Sequence, residues 1–277
     1  MTTQSTRNFL TDNPELYELR FPDHDHSAGR FLHDVMRTHL TTSTPPDAEY
    51  PPAVLDIGCG TGRDMGYLSG LGYRCTGLDC SAEMVRYARS RHRDVRFVEA
   101  DMREFDVAPR GFDAITCLDS SLLYCHTDDD LRACLDRCRS HTRPGGLLIL
   151  EMRNGAYFLG NSDLMDHPTQ FSVQAAGQRW RADTTLWIDH GSQLLRRRRV
   201  WHGADDEPVV QFSAWRLLFP LEIAGHLSRA GYTIRTMFDA PGPRVDGGWP
   251  AHPPRLPARG GTALAGDRLH IVAEAIT

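Results

Sequence analysis

The stretch Val54-Leu55-Asp56-Ile57-Gly58-Cys59-Gly60-Thr61-Gly62-Arg63 holds the densest chemical information in this chain. An apolar run delivers three glycines at every second position, where a backbone without Cβ can turn sharply and let a ligand come close. The dinucleotide fingerprint G-x-G-x-x-G would need a glycine at position 63, which is Arg here. Asp56, ahead of the first glycine, would repel a phosphate and suits a cationic ligand with an amino group. About twenty residues on, Gly77-Leu78-Asp79-Cys80-Ser81 puts an acid where it can accept both hydroxyls of a ribose. The same Asp79 could cap the helix that starts near Ala82, and the two roles are compatible. In Phe97-Val98-Glu99-Ala100-Asp101-Met102, Asp101 could accept from an adenine amino group while Met102 packs on the ring. A bare glycine turn occurs in any α/β protein; acids at the ends of successive strands are what make this one a ligand cradle.

Positioning these residues takes a regular frame. The spacing predicts a helix after Asp12-Asn13-Pro14-Glu15, where a capping side chain precedes proline and an acid, and a second helix from Asp23 to Leu40. Thr41 to Pro52 reads as a linker. Strands are predicted at Ala53–Ile57, Cys75–Leu78, Val95–Val98, Ala114–Leu118 and Leu147–Met152, and helices at Met65–Leu71, Ala82–Arg91 and Asp129–His141. Apolar strands alternating with helices imply a parallel sheet covered on both faces. After Asn154 the pattern changes to four antiparallel strands within Phe171–Leu218, an insert after the fifth parallel strand. Leu221–Ala230 then reads as a helix, Thr233–Phe238 and Leu269–Ala275 as strands, and Ala240–Gly266, dense in Pro and Gly, as a long mobile loop.

The segments VLDIGCGTGRD, GLDCSAEMVRYAR, FVEADMREF, FDAITCLDSSLLY and RPGGLLILEMRN, in this order and spacing, resemble the class I S-adenosylmethionine-dependent methyltransferases over residues 50 to 154. The resemblance implies an α/β fold, a Rossmann-like doubly wound seven-stranded sheet whose last strand is antiparallel, with S-adenosyl-L-methionine as cofactor. By the same resemblance Gly58, Gly60 and Gly62 line the cofactor's amino-acid part and Asp79 holds its ribose. Met84 and Met102 sandwich the adenine, Asp101 binds its amino group, and the Leu118 carbonyl accepts from the methionine amine. Asp56, Cys59, Arg63 and Cys80, interleaved with these, belong to the same expected site. More narrowly, the chain is similar to enzymes that methylate amino-sugar nucleotides and related natural products. Those carry a tyrosine on an N-terminal helix, a Tyr-x-x-Thr segment and an antiparallel insert, matched here by Tyr17, Tyr124-Cys125-His126-Thr127 and Phe171–Leu218; the long Pro/Gly loop departs from that group. The expected organisation is an N-terminal helical lid (1–48), a cofactor domain (49–154 and 219–277) and an insert over the substrate site (155–218).

A sulfonium methyl is already electrophilic, so the protein's task is to align a nucleophile about 3 Å away and keep water out. An amine needs only to be neutral, whereas a hydroxyl or carbon acid needs a base. His126 is the first candidate for that base, although a histidine there could equally cap the helix that follows; Tyr124 is an orienter. Asp119 could pair with an amine or simply form a turn. Arg153 and Asn154 could hold a substrate carboxylate or phosphate, or merely end a strand. Asp23-His24-Asp25-His26 has metal-ligand residue types but reads as a solvated first helical turn, and no metal is expected. Arg196–Arg199 would alternate its side chains between two faces, which weakens a nucleic-acid role. Trp180, Trp187, Trp201 and Trp215 would build the core of the insert or wall an aromatic pocket.

With 31 basic and 36 acidic residues in 277, the net charge of -5 argues against nucleic acid as a partner. No run of about eighteen apolar residues spans a membrane, and residues 1–7 lack the apolar core of a secretory signal. A cytoplasmic protein, monomer or homodimer, with a small-molecule substrate is expected. Seven cysteines without a C-x-x-C pair read as small hydrophobes, and Cys134 with Cys138 lacks further zinc ligands. The functional expectation is methyl transfer to N or O. Ring closure or aminopropyl transfer with the same cofactor, and cofactor binding without catalysis, stand as alternatives, because one fold hosts several chemistries.

Overall fold

The structure, a computed structural model, describes residues 9–40, 51–160, 165, 167–175, 177–203, 207–253 and 263–276. Five strands alternate with helices in the first half: β1 (Ala53–Ile57), α3 (Arg63–Gly70), β2 (Arg74–Asp79), α4 (Ala82–Arg91), β3 (Arg96–Glu99), β4 (Phe112–Cys117), α5 (Asp128–His141) and β5 (Thr142–Arg153). Helix α7 (Pro220–Arg229) and strands β10 (Tyr232–Phe238) and β11 (Arg268–Ala275) complete the sheet, whose order is β10-β11-β5-β4-β1-β2-β3. β1 to β5 run parallel where they pair, and β11 lies antiparallel between β5 and β10. The seven-stranded sheet with an antiparallel last strand is the fold expected above.

Strand alternation divides the apolar residues between two layers. Leu55, Ile57, Leu148, Leu150, Leu269 and Ile271 face Leu131 and Leu135 of α5 and Ile223 and Leu227 of α7. Val54, Leu147, Ile149 and Val272 face the other way, toward α3, α4 and α2 (Ser27–His39), where Phe31, Leu32 and Val35 pack. Local signals set the helix ends: Ser81 caps α4 by accepting from the Met84 amide, and Thr127 with Asp130 forms a capping box on α5.

The insert is a second sheet, β6 (Thr169–Ala175), β7 (Gln178–Asp189), β8 (Leu194–His202) and β9 (Val209–Arg216), antiparallel throughout. Trp201 is its largest fully buried side chain. Leu10 and Leu16, the latter on α1 (Pro14–Arg20), join Val173, Ala182 and Trp201 in a third core, so the N-terminal segment packs on the insert.

Four expectations need correction. Helix α2 starts at Ser27, not Asp23; Asp23 stands outside it and accepts from the Ser27 amide at 2.8 Å. Strand β5 reaches back to Thr142 through Pro144-Gly145-Gly146, and a short helix α6 (Gly155–Gly160) follows it. The described part of the Pro/Gly loop is docked rather than free: Trp249 is buried against Phe31, its indole donates to Asp34 at 2.7 Å, and its amide donates to Ser27 Oγ at 2.7 Å. A linker at 41–50 and the loop's 254–262 portion lie outside the described residues. Among those described, no helix is long and apolar enough to cross a membrane.

Candidate active site

β1 and β4 are neighbours at the point where the sheet's winding reverses, and their carboxyl ends open a crevice there. A cavity of about 810 Å³ fills it, within the roughly 300–1,000 Å³ of small-ligand sites. Its wall includes Tyr17, Asp56, Gly58, Cys59, Gly60, Arg63, Asp79, Cys80, Met84, Asp101, Met102, Leu118, Asp119 and Tyr124. Gly62, His126, Arg153 and Asn154 are not in that wall.

The glycine turn folds back on β2: the amides of Gly58 and Cys59 both donate to the Leu78 carbonyl, at 2.8 and 2.9 Å. Gly58, Gly60 and Gly62 have φ of 72°, 54° and 76°, a left-handed conformation that glycine alone adopts without strain. A Cβ on Gly58 would strike Ser121 at 2.7 Å and one on Gly62 would strike the Phe97 ring at 2.5 Å. Gly62 thus serves packing. Gly60 meets nothing within 4 Å, so the turn leaves open space where a side chain would stand.

Carboxylates surround this turn. Asp56 is buried, with Thr116 Oγ1 donating to it at 2.6 Å, and burial pushes its carboxyl up to about 8. Asp79 accepts from the Gly60 amide at 2.9 Å and the Ser81 amide at 2.8 Å, so it holds the glycine turn; burial raises its carboxyl. Asp101 accepts from Arg103 at 2.9 and 2.6 Å, and that guanidinium lowers it. Buried Met84 and half-buried Met102 flank the same region.

At the other end, Asp119 and Ser120 are both left-handed, with φ of 51° and 66°, directly after β4. Buried Glu151 on β5 secures this turn: its Oε2 accepts from the Asp119 amide at 2.7 Å and its Oε1 from Arg268 at 3.0 Å. Tyr17 donates to Asp119 Oδ2 at 3.0 Å, while Arg244 and Arg268 stand 3.9 and 3.8 Å from Oδ1. Burial opposes ionisation of Asp119, but these two guanidiniums win and hold it below the usual carboxylate range. Burial and Asp119 push the Tyr17 phenol well up. Arg63 donates to the Phe21 carbonyl and lies 3.8 Å from Glu18.

The residues proposed for chemistry divide. Tyr124 borders the cavity, its ring 6.5 Å from that of Trp215. His126 turns away, its Nε2 3.0 Å from the Ala214 carbonyl on β9, and Thr127 caps α5 in its place. His126→Ala is accordingly expected to leave turnover with saturating cofactor within a few-fold of the parent, read by initial rates. Asn154 is buried as a latch, donating to the carbonyls of Leu264 and Gly266 at 2.7 and 3.0 Å. Arg153 lies over Trp215, its guanidinium carbon 5.0 Å from the ring.

Sequence reading missed Arg244, Arg268 and Glu151. Arg244 lies in the aperiodic Pro/Gly loop and carried no signal; Glu151, an acid inside the run Leu147–Met152, was a readable one. Among the described residues the one group with metal-ligand spacing is Asp128, Glu222 and His226. Arg216 donates to both carboxylates, at 2.5 and 2.6 Å, and already supplies their cation.

Residues 54–146 match the family described as a methyltransferase domain. A dTDP-3-amino-3,6-dideoxy-alpha-D-glucopyranose N,N-dimethyltransferase of Streptomyces fradiae is 35% identical over 99 residues, 36% of this chain and 38% of that one. A dTDP-3-amino-3,4,6-trideoxy-alpha-D-glucopyranose N,N-dimethyltransferase of Streptomyces venezuelae is 29% identical over 143 residues, 52% and 58% of the two chains. The chain therefore spans about two-fifths to three-fifths of the length of these curated relatives. An S-adenosylmethionine-dependent methyltransferase from Clostridium acetobutylicum shares the fold with a TM-score of 0.70 at 17% identity, over 98% of this chain and 100% of that one. Crevice, glycine turn and strand-end acids agree with these likenesses: residues 54–146 are similar to a methyltransferase domain and sit in a Rossmann-like fold shared with S-adenosylmethionine-dependent methyltransferases.

Proposed function

We propose that this protein transfers the methyl group of S-adenosylmethionine to the amine nitrogen of a small molecule. The observation that carries nitrogen over oxygen is the state of the cavity's acceptor end. Among the described residues of the wall there is no histidine, and Asp119 is held ionised by Arg244 and Arg268. A strongly ionised carboxylate is a poor base for a hydroxyl, but it orients a neutral amine and receives its hydrogen bond. The relatives named for methylating amino sugars support the same acceptor class.

The residues present fit the cofactor. The open space at Gly60 admits its amino-acid part, and Asp56 with the Leu118 carbonyl would take the ammonium. Arg244, whose Nε is buried without a hydrogen-bond partner, would take the carboxylate. Asp79 would accept from the ribose hydroxyls, with Asp101, Met84 and Met102 around the adenine. When bound, the cofactor supplies an electrophilic methyl on a cationic sulfur. The chain's own work is then positional: Tyr17 and the Glu151–Arg268 pair fix Asp119, and Tyr124 closes the acceptor side. The N-terminal segment and the insert, packed on each other, would cover this end as a lid.

Incubation with S-adenosylmethionine and a panel of amines and amino sugars, followed by mass spectrometry, tests the reading. Methylated amine with S-adenosylhomocysteine is expected; methylthioadenosine as the coproduct, or methylation of hydroxyls alone, would overturn it.

Asp56 gives a pH test. Its carboxyl rises from near 3.8 in an unfolded chain to about 8 in the fold, so between those values the folded form keeps a proton that the unfolded form has lost. That group's contribution to stability therefore falls as pH rises through the window. Asp56→Asn removes this slope. Melts from pH 5 to 8 should show the variant gaining on the parent as pH increases, and parallel curves would refute the assignment.

A further inference from the structure

Three carboxyls crowd the glycine turn without a close cation. Asp56 stands near the end of β1, Asp79 ends β2, and half-buried Asp64 lies in the first turn of α3, two residues past Gly62. All three line the cavity. Asp56 accepts from a hydroxyl and Asp79 from backbone amides, as described above. Asp64 has no side-chain hydrogen bond among the described residues, and only burial and more distant charges act on it.

Other acids of the same wall are answered. Glu83 pairs with Arg86 and Asp101 with Arg103, while Asp119 faces Arg244 and Arg268. Around the turn, no arginine or histidine nitrogen of the described residues lies within 4.0 Å of Asp56, Asp64 or Asp79. Arg244 and Arg63 act on Asp64 only from beyond that distance. Burial raises all three carboxyls, and Asp64 and Asp79 push Asp56 further in the same direction. Neighbouring acids that lose hydration without a cation disfavour their own ionisation. Asp79 at least holds the glycine turn, but turn geometry gives no reason for an acid at 64. A positive charge bound among the three does.

We propose that Asp56, Asp64 and Asp79 make the cavity select the sulfonium form of its cofactor over the neutral-sulfur product, with Asp64 as the residue that adds this selectivity. This rests on the reading that S-adenosylmethionine binds here with its ammonium at Asp56 and its ribose at Asp79. The sulfur is bonded to both the amino-acid chain and the ribose carbon, so it lies between those two ends and among the three acids. On transfer the methyl bonds to the acceptor nitrogen, the C–S electron pair stays on sulfur, and the positive charge passes to that nitrogen. S-adenosylhomocysteine keeps one ammonium and one carboxylate and has no net charge. At an effective dielectric of about 20, a unit charge about 8 Å from a carboxylate still changes affinity more than tenfold. The cavity therefore holds the methyl donor and loosens its grip on the spent cofactor.

The test is calorimetry on the full chain with S-adenosylmethionine, S-adenosylhomocysteine and sinefungin, whose amine carries a positive charge where the sulfonium stands. Both cationic ligands should bind about tenfold or more tighter than S-adenosylhomocysteine. Asp64→Asn keeps the side chain's size and removes its charge; it should cut that preference about threefold or more while S-adenosylhomocysteine affinity stays within about twofold of the parent. Asp64→Glu should retain the preference. Removing an unpaired acid beside two others should leave Tm unchanged or raise it, whereas a merely structural role would lower Tm and weaken all three ligands together. The proposal is overturned if S-adenosylhomocysteine binds as tightly as S-adenosylmethionine, or if Asp64→Asn leaves the preference intact; either result leaves the cofactor reading standing. Binding of neither cofactor form would overturn that reading and this selectivity together.

Discussion

Asp79→Ala is expected to weaken S-adenosylhomocysteine binding by roughly a hundred- to a thousandfold. Each hydrogen bond to a charged acceptor is worth about 1.5–3 kcal/mol, and in the proposed binding mode two ribose hydroxyls would converge on this carboxylate, so roughly 3–4 kcal/mol would be at stake. Part of the loss is indirect. Asp79 accepts from the amides of Gly60 and Ser81, so alanine also frees the turn that shapes the cradle. Asp79→Asn divides the loss differently, because it keeps the side chain's size and one acceptor oxygen while losing the charge and one of the two turn hydrogen bonds; about a tenfold loss is expected there. Calorimetry reads both. Affinity unchanged in the alanine variant would mean that the acid serves the turn alone and that the sugar lies elsewhere.

Trp249→Ala is expected to cost about 3–5 kcal/mol of stability, the range for truncating a large buried aromatic. The indole is 2% exposed, lies edge-on to Phe31 with centroids 4.9 Å apart, and donates to Asp34. Its backbone is held from both sides, the amide by Ser27 and the carbonyl by Arg30. The same strap carries Arg244 into the cavity, so loosening it should weaken cofactor binding along with stability. Arg244→Ala isolates the second effect: a tenfold or greater loss of S-adenosylhomocysteine affinity is expected with stability nearly unchanged. Denaturant unfolding and calorimetry on both variants check this. A Trp249→Ala protein that melts like the parent would show the strap to be dispensable.

Several parts of the site are legible in the amino-acid order itself. The glycine spacing and the acids at 56, 79 and 101 belong to one continuous βαβ rhythm, and each is placed by its own strand end within a few residues. Their geometry is local, so sequence order is enough to bring them to one crevice. Elements with strong periodicity behave alike: α4 begins at Ala82 and ends at Arg91 as its capping and apolar pattern require.

The rest needs distant contacts. His126 is a reasonable base from its position after β4, but the insert edge at Ala214, 88 residues away in sequence, captures its ring. Asn154 looks like a substrate ligand at a strand end, yet the carbonyls of Leu264 and Gly266 absorb its amide. Arg244 and Trp249 lie in a stretch without period, where no pattern says which residue turns inward. Thus local order determined the ligand cradle of this protein, because strand, turn and helix are set by neighbours in the chain. Tertiary packing alone decided which charged groups stayed free to act, since that depends on carbonyls and guanidiniums that arrive from remote segments.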